Sequence, residues 1–202
     1  MNIILFSRKQ VNHRTEQIVE MFHTIEKLGV DYSINEDFAV VVEQLTDIRV
    51  RPERVYRERP SASDNDVMVA YGGDGTLLEA VQLLPSSSVP VVGINCGRLG
   101  YLTADNGNGI AELLERIARG NISYQRRDML RISGDVDCKE SPLALNEVAV
   151  HRGGATMISI QTYALRLSGV CSRRTMKRKS LLFCSMSHPA NRIMRLSTLW
   201  QW

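Results

Sequence analysis

The segment from Asp66 to Leu84, DVMVAYGGDGTLLEAVQLL, combines three local structural signals in direct succession. Val67 to Tyr71 is an uninterrupted apolar run of the kind found in buried parallel strands. Gly72 to Thr76 is a glycine-rich turn, and Leu77 to Leu84 has the composition of a helix. A strand, a glycine turn and a helix in this order place backbone N–H groups at the carboxyl edge of a sheet, where phosphate oxygens bind.

The glycine turn contains the first candidate site residues. Gly72, Gly73 and Gly75 permit a close approach of a ligand to the backbone, which a Cβ atom would block. Asp74 adds a carboxylate that either accepts a proton from a hydroxyl group or helps to hold Mg²⁺. A simple tight turn is the alternative interpretation, but the strand before it and the helix that begins after Thr76 favour a phosphate-binding loop.

A second glycine-punctuated loop follows the next predicted strand, Val89 to Ile94. It runs from Gly93 to Leu102, so two adjacent strand ends are expected to face one crevice. Within this loop Arg98 is either a phosphate ligand or a solvated surface charge. Tyr101 either stacks on a ring of the ligand or covers the core.

The pattern on both sides of these loops predicts an α/β fold, with a Rossmann-like open parallel sheet and helices on both faces over residues 1–120. Short β-branched runs alternate there with apolar residues at spacings of three and four. The further predicted strands are Asn2 to Phe6 and Val30 to Ile34. The further predicted helices are 13–28, which Gly29 ends, Asp37 to Leu45, and Gly109 to Arg119, and Arg49 to Asp66 is predicted as an exposed loop.

After Gly120 the pattern changes to strands at 122–132, 143–150 and 156–163, which predicts the beginning of a β-rich second domain over 121–163. Asn146 and Glu147 are adjacent polar residues in the second of these apolar runs. Because buried polar groups need partners, they either pair within the fold or face a polar ligand such as the two hydroxyls of a ribose.

Three motifs in this order and spacing resemble the NAD kinase family: Gly72 to Thr76, the GINCGRLGY stretch from 93 to 101, and Leu145-Asn146-Glu147. The resemblance covers roughly residues 1–163. It implies ATP-dependent phosphorylation of the adenosine-ribose 2′-hydroxyl of NAD to give NADP, with Mg²⁺ on the ATP phosphates. The first motif is shared with diacylglycerol-type lipid kinases. A lipid kinase and a non-catalytic nucleotide-binding remnant therefore remain the alternatives.

The resemblance also implies roles for single residues and a set of partners. Asp74 matches the proton acceptor and Gly75 a backbone contact, while Tyr101 and Leu102 match the wall of the dinucleotide pocket and Asn146 with Glu147 the ribose-binding pair. NAD and ATP are the implied partners, and the intact family is expected to form homo-oligomers. We expect neither nucleic acid nor a membrane as a partner.

Cysteine and histidine spacing predicts no protein-bound zinc. The four cysteines form no C-x-x-C pair and the four histidines no i, i+4 pair, so no metal ligand set is assigned. The apolar run from Ile3 to Phe6 is too short for a signal peptide or a membrane span, which predicts a cytoplasmic protein.

The last 39 residues, 164–202, differ sharply in charge from the rest of the chain. They contain eight Lys and Arg and no acidic residue, whereas residues 1–163 contain 17 basic and 22 acidic side chains. This segment is either an ordinary basic tail, a nucleic-acid-binding arm, or the product of a shifted reading frame after Tyr163. The third interpretation is favoured because the family's later motifs are missing. It predicts a tail without a replacement sheet and a chain without kinase activity of its own.

Overall fold

The structure is a computed structural model that divides into two units, Met1–Gln125 and Arg126–Trp202. It describes residues 1–84, 88–96, 109–125, 127, 129–134, 143–145, 159–164, 182–187 and 194–199. None of the helices in these ranges is both long and apolar enough to cross a lipid bilayer.

The first unit is built on a five-stranded sheet in the order β3-β2-β1-β4-β5, and every neighbouring pair in it is parallel. This confirms the predicted open parallel sheet. Its elements in chain order are β1 (Asn2–Phe6), α1 (Thr15–Leu28), β2 (Asp31–Asn35), α2 (Glu36–Leu45), a 3₁₀ turn (Pro52–Arg54), β3 (Val55–Tyr56), β4 (Val67–Tyr71), α3 (Asp74–Leu83), β5 (Val91–Ile94) and α4 (Ile110–Ala118).

The strand order places a topological switch point between β1 and β4. The chain first builds outward from β1 through β2 to β3, and then returns to the other side of β1 with β4 and β5. Phe6 lies opposite Ala70, and Tyr71 opposite Ile94, so the three strands β1, β4 and β5 end side by side. In open α/β sheets, ligands bind in the crevice outside strand ends at such a point.

Helices cover both faces of this sheet. One continuous apolar cluster joins alternate strand residues to α1, α2 and α4: it includes Ile3, Leu5, Val67, Val69, Ile18, Met21, Ile25, Phe38, Val42, Ile110, Leu114 and Ile117. The intervening strand residues Ile4, Phe6, Met68 and Ala70 are also buried, as are Leu77 and Ala80 of α3. Because successive side chains of a strand point to opposite faces, this second group belongs to the other face, where α3 lies against β4 and β5.

Local signals explain most element boundaries in this unit. The α1 helix buries one apolar stripe, and it ends at Gly29, whose φ of +62° is the left-handed conformation that glycine adopts without a Cβ penalty. Two differences from prediction exceed two residues. The α3 helix begins at Asp74 rather than Leu77, and the predicted loop 49–66 contributes the edge strand β3, whose Tyr56 hydroxyl donates to the Leu5 carbonyl at 3.1 Å.

The second unit contains two antiparallel sheets, one in the order β10-β6-β7 and one formed by β8 and β9. The strands are β6 (Met129–Gly134), β7 (Leu143–Ala144), β8 (Ser159–Ala164), β9 (Leu182–Ser187) and β10 (Met194–Leu199). The strands β6, β7 and β8 overlap the three segments predicted as strands, although β6 begins seven residues later than expected.

Two of these strands, β9 and β10, lie in the basic tail, for which no strand was predicted. The sequence of β10 alternates between apolar and polar residues, which the charge composition of the tail does not reveal. Met194, Leu196 and Thr198 alternate with Arg195 and Ser197, which is the period-two pattern of a strand.

Candidate phosphate-binding site

The predicted glycine turn lies at the carboxyl edge of β4, next to the switch point, and joins β4 directly to α3. The Gly72 N–H donates to the carbonyl of Ile94 at 2.9 Å, which fixes the start of the turn to the end of β5. The Gly73 carbonyl then accepts from the N–H groups of Thr76 and Leu77 at 2.9 and 3.2 Å. These bonds make Gly73 the residue that initiates the helix.

No side chain caps this helix start, since glycine occupies the cap position. The first N–H groups of a helix have no partner within the helix, and they carry the positive end of its dipole. Asp74 and Gly75 occupy the first turn of α3, where Asp74 is half-buried and Gly75 exposed. The turn therefore presents an exposed backbone position beside a carboxylate at the crevice.

Glycine is required at position 72 for a steric reason. A Cβ atom there would lie 2.3 Å from Oγ1 and 2.8 Å from Cβ of Thr76, whose side chain is almost fully buried. At Gly73, by contrast, an added Cβ would have no neighbour within 4 Å. The two adjacent glycines thus have different structural roles.

Ser7, the residue that follows β1, connects three elements of the crevice and was not identified from the sequence. Its N–H donates to Oδ1 of Asn35 at 3.0 Å, and its carbonyl accepts from Nδ2 of the same amide at 2.9 Å. Its hydroxyl donates to the carbonyl of Tyr71 at 2.6 Å and lies 2.9 Å from Nε2 of His13. The ends of β1, β2 and β4 are consequently held together through one fully buried serine.

An aromatic stack supports the same strand ends. His13, Phe38 and Tyr71 lie with ring centroids 5.7 to 5.9 Å apart, and the Tyr71 hydroxyl donates to Oε1 of Gln17 at 2.7 Å. Burial raises the pKa of Tyr71 to about 12. Burial also lowers the pKa of His13 below its ordinary value of 6.5 and outweighs the hydrogen bond to the Val11 carbonyl, so its imidazole is neutral at pH 7.

Arg8 is a second residue that sequence reasoning missed. Its Nε forms an ion pair with Oε2 of Glu79 on α3. Its Nη1 lies 3.2 Å from the position that a Cβ of Gly75 would take. This arrangement places a guanidinium beside the first turn of α3. No sequence pattern signalled it, because Arg8 and Gly75 come together only when β1 and β4 pair.

The second predicted loop is described only to Cys96. Asn95 and Cys96 directly follow β5 and are almost fully buried, and burial raises the pKa of the Cys96 thiol. Arg98, Tyr101, Leu102, Asn146 and Glu147 lie outside the described residues, so their predicted roles stay predictions. Within the ranges that the structure describes, no three His, Cys, Asp or Glu side chains are grouped to hold a metal ion.

Comparisons with known proteins point to one family. Residues 4–122 match the model of the ATP-NAD kinase N-terminal domain. The chain is 27% identical to an NAD kinase of Bacteroides fragilis over 164 residues, which are 80% of this chain and 56% of that protein. It is 30% identical to an NAD kinase of Flavobacterium johnsoniae over 171 residues, 81% of this chain and 57% of that protein.

A solved structure shares the fold. The yeast NADH kinase complexed with NADH aligns with a TM-score of 0.61 at 20% sequence identity, covering 81% of this chain and 52% of that chain. The chain spans about half the length of these curated relatives and of this structure.

Proposed function

Because this chain belongs to the NAD kinase family, we propose that it carries the phosphate-binding part of an enzyme that converts NAD to NADP. The reaction would transfer the γ-phosphoryl group of ATP to the adenosine-ribose 2′-hydroxyl. The observation that carries the proposal is the Gly72–Thr76 turn, an uncapped helix start at the switch point of a parallel sheet. The backbone of this turn lies at the positive end of the α3 dipole, where N–H groups can bind the negatively charged oxygens of a phosphate.

In the proposed mechanism the first turn of α3 binds the phosphate chain and Asp74 faces the acceptor hydroxyl. The 2′-oxygen attacks the γ-phosphorus, the bond from that phosphorus to the bridging oxygen breaks, and ADP leaves. The hydroxyl proton passes to the Asp74 carboxylate. Most of the barrier reduction in such a reaction comes from positioning and from stabilisation of phosphate charge.

Mg²⁺ fits this site as an ion that ATP brings with it. Magnesium prefers oxygen ligands, keeps several waters, and usually binds through one or two carboxylates together with substrate phosphates. Because Asp74 is the proposed proton acceptor, the ion would be held by the ATP phosphates and water. When bound, the ion would neutralise phosphate charge.

The NAD-binding side of the proposal rests on the resemblance. Tyr101 and Leu102 would form the wall of the dinucleotide pocket, and Asn146 with Glu147 would hold the ribose hydroxyls. Arg98, to which the resemblance gives no role, would contact phosphate. A lipid kinase is the weaker alternative, because the relatives and the structural neighbour are named as NAD or NADH kinases.

Substitution of Asp74 tests the proposal. Asp74→Asn should lower NADP formation by about 100-fold or more, since a general base contributes roughly 10² to 10⁴ to the rate. ATP binding measured by calorimetry should change little. Asp37→Asn is the matched control, because Asp37 also lies in the first turn of a helix that follows a strand of this sheet, but away from the switch point.

The activity assay should use a full-length reconstruction, as long as the relatives, and the 202-residue chain in parallel. Titrations with NAD and ATP complete the test. Binding of ATP without any binding of NAD to the reconstruction would contradict the proposed substrate. NADP formation by the Asp74→Asn variant at more than a few percent of the unaltered rate would remove Asp74 from the role of base.

A further inference from the structure

We propose that Arg8 binds the phosphate chain of the phosphoryl donor and lines the site beside the glycine turn. This inference rests on the proposed function and adds a specific donor contact to it. The ligand chemistry is a condensed phosphate chain, and we assign it to ATP rather than to the pyrophosphate of NAD.

The backbone at Arg8 is fixed by its neighbour. Ser7 uses its N–H, its carbonyl and its hydroxyl in hydrogen bonds of 2.6 to 3.0 Å to Asn35 and to the Tyr71 carbonyl. Tyr71 directly precedes the glycine turn. The hydrogen bonds of Ser7 therefore fix the backbone at Arg8 relative to the beginning of the glycine turn.

The guanidinium is oriented so that its two terminal nitrogens face the turn. Its Nε is occupied by Glu79, one helical turn further along α3. Nη1, Cζ and Nη2 lie 3.2, 3.7 and 3.8 Å from the position of a Cβ on Gly75. The ion pair thus uses the Nε side of the guanidinium. The two Nη nitrogens lie beside the exposed backbone of Gly75.

Phosphate binding explains the position of the Arg8 guanidinium better than a contribution to stability does. Arginine presents parallel N–H donors that match two oxygens of a phosphate group. The Arg8 and Glu79 side chains are 46% and 43% exposed, so a ligand in the crevice can reach the fork. An ion pair this exposed contributes little to folding, and stability therefore does not explain why the fork lies over the turn.

The test is calorimetric titration of the 202-residue chain with Mg²⁺-ATP, AMP and NAD. Arg8→Gln should weaken ATP binding about tenfold, the loss expected for one charge-assisted hydrogen-bonding group in a half-exposed site. Binding of AMP, which lacks the β- and γ-phosphates, should change less than about threefold. Arg8→Lys, which keeps the charge without the fork, should lose less than Arg8→Gln.

Arg57→Gln is the matched control. Arg57 pairs through Nε with Glu36 at 3.1 Å, and this exposed pair also joins a strand end to a helix start at the carboxyl edge. It lies at β3 and β2, away from the β1–β4 switch point. ATP binding should be unchanged in this variant, and the thermal unfolding midpoints of both variants should stay close to that of the unaltered chain.

Four outcomes would overturn the inference. ATP binding by Arg8→Gln equal to that of the unaltered chain would remove Arg8 from the donor site and leave the proposed function intact. An equal loss for ATP and AMP, or a loss confined to NAD, would show that Arg8 does not bind the donor's phosphate chain. Failure of the unaltered chain to bind ATP at all would contradict this inference and the proposed nucleotide site together.

Discussion

At the scale of single residues, the glycines of the turn are distinguished by their surroundings. Gly72 has no room for a side chain because the buried Thr76 lies against it. Gly73 has open space around it, and Gly75 lies under the Arg8 guanidinium. A sequence motif treats these three positions alike, whereas the packing gives each of them a different tolerance to substitution.

Substitution of Gly72 should show this difference in a stability measurement. Gly72→Ala should lower the free energy of unfolding by about 1 to 3 kcal/mol, because the new methyl group forces the Thr76 side chain or the backbone to move. Gly73→Ala, with nothing within 4 Å of the new Cβ, is the control and should cost less than about 1 kcal/mol. Urea unfolding followed by circular dichroism measures both. Equal costs for the two variants would contradict the steric explanation.

At the scale of elements, the opposite edge of the sheet is held by Asp66. Its Oδ1 accepts from the Asn2 N–H at 2.7 Å, and its Oδ2 accepts from the N–H and hydroxyl of Ser63 at 2.8 and 2.9 Å. Burial by itself raises the pKa of this carboxyl, but the hydrogen bonds from Ser63 and Asn2 outweigh it, and the pKa falls below its ordinary value of 3.8. This carboxylate ties the start of β1 to the start of β4.

Asp66→Asn should lower the free energy of unfolding by about 1 to 3 kcal/mol at pH 7, since charge-assisted bonds to a buried carboxylate are lost. The folded pKa lies below the unfolded one, so this contribution is present above about pH 4 and disappears as the pH falls through the folded pKa. Urea titrations at pH 7 and pH 3 should show the variant and the unaltered chain converging at the lower pH. Asp64→Asn is the control, because its exposed carboxylate accepts from the Ser88 hydroxyl. A difference that persists undiminished at pH 3 would contradict this account.

At the scale of the whole molecule, the chain consists of an α/β unit with its own core and a second unit of antiparallel strands. The cluster that joins the sheet to α1, α2 and α4 lies entirely within the first unit. Asn121 to Gln125 end this unit outside any helix or strand, and the Tyr124 side chain is 63% exposed. The first unit therefore has the internal contacts of an independent folding unit, followed by an accessible cleavage site.

Limited proteolysis with chymotrypsin should release a fragment that ends at Tyr124. Buried strands and helices resist a protease that needs extended chain, whereas the exposed segment before the second unit meets that requirement. Mass spectrometry of a digestion time course would identify the fragment. Tyr124→Ser should delay its appearance. Early cleavage at aromatic residues within β1 to α4, before any cut near residue 124, would contradict the independence of the first unit.

The local patterns in the sequence were sufficient to determine the α/β unit. The strands β1 and β4 and the end of α1 at Gly29 were predicted to the residue, because hydrophobic periodicity and glycine punctuation are local properties. The strands β9 and β10 were not predicted. The turn at Gly72 to Thr76 between a strand and a helix followed from the motif. Its phosphate-binding role and the roles of Arg98, Tyr101, Leu102, Asn146 and Glu147 stay predictions.

Only the tertiary structure could supply Ser7, Arg8, Asn35 and His13. These residues are separated from the glycine turn by some 35 to 65 positions and carry no motif, so no local pattern connects them to it. They reach the turn because β1 pairs with β2 on one side and with β4 on the other. Strand pairing is decided by the burial of the whole sheet between two layers of helices. The glycine turn was therefore predictable from the sequence, whereas the residues that hold and surround it are determined by which strands lie side by side.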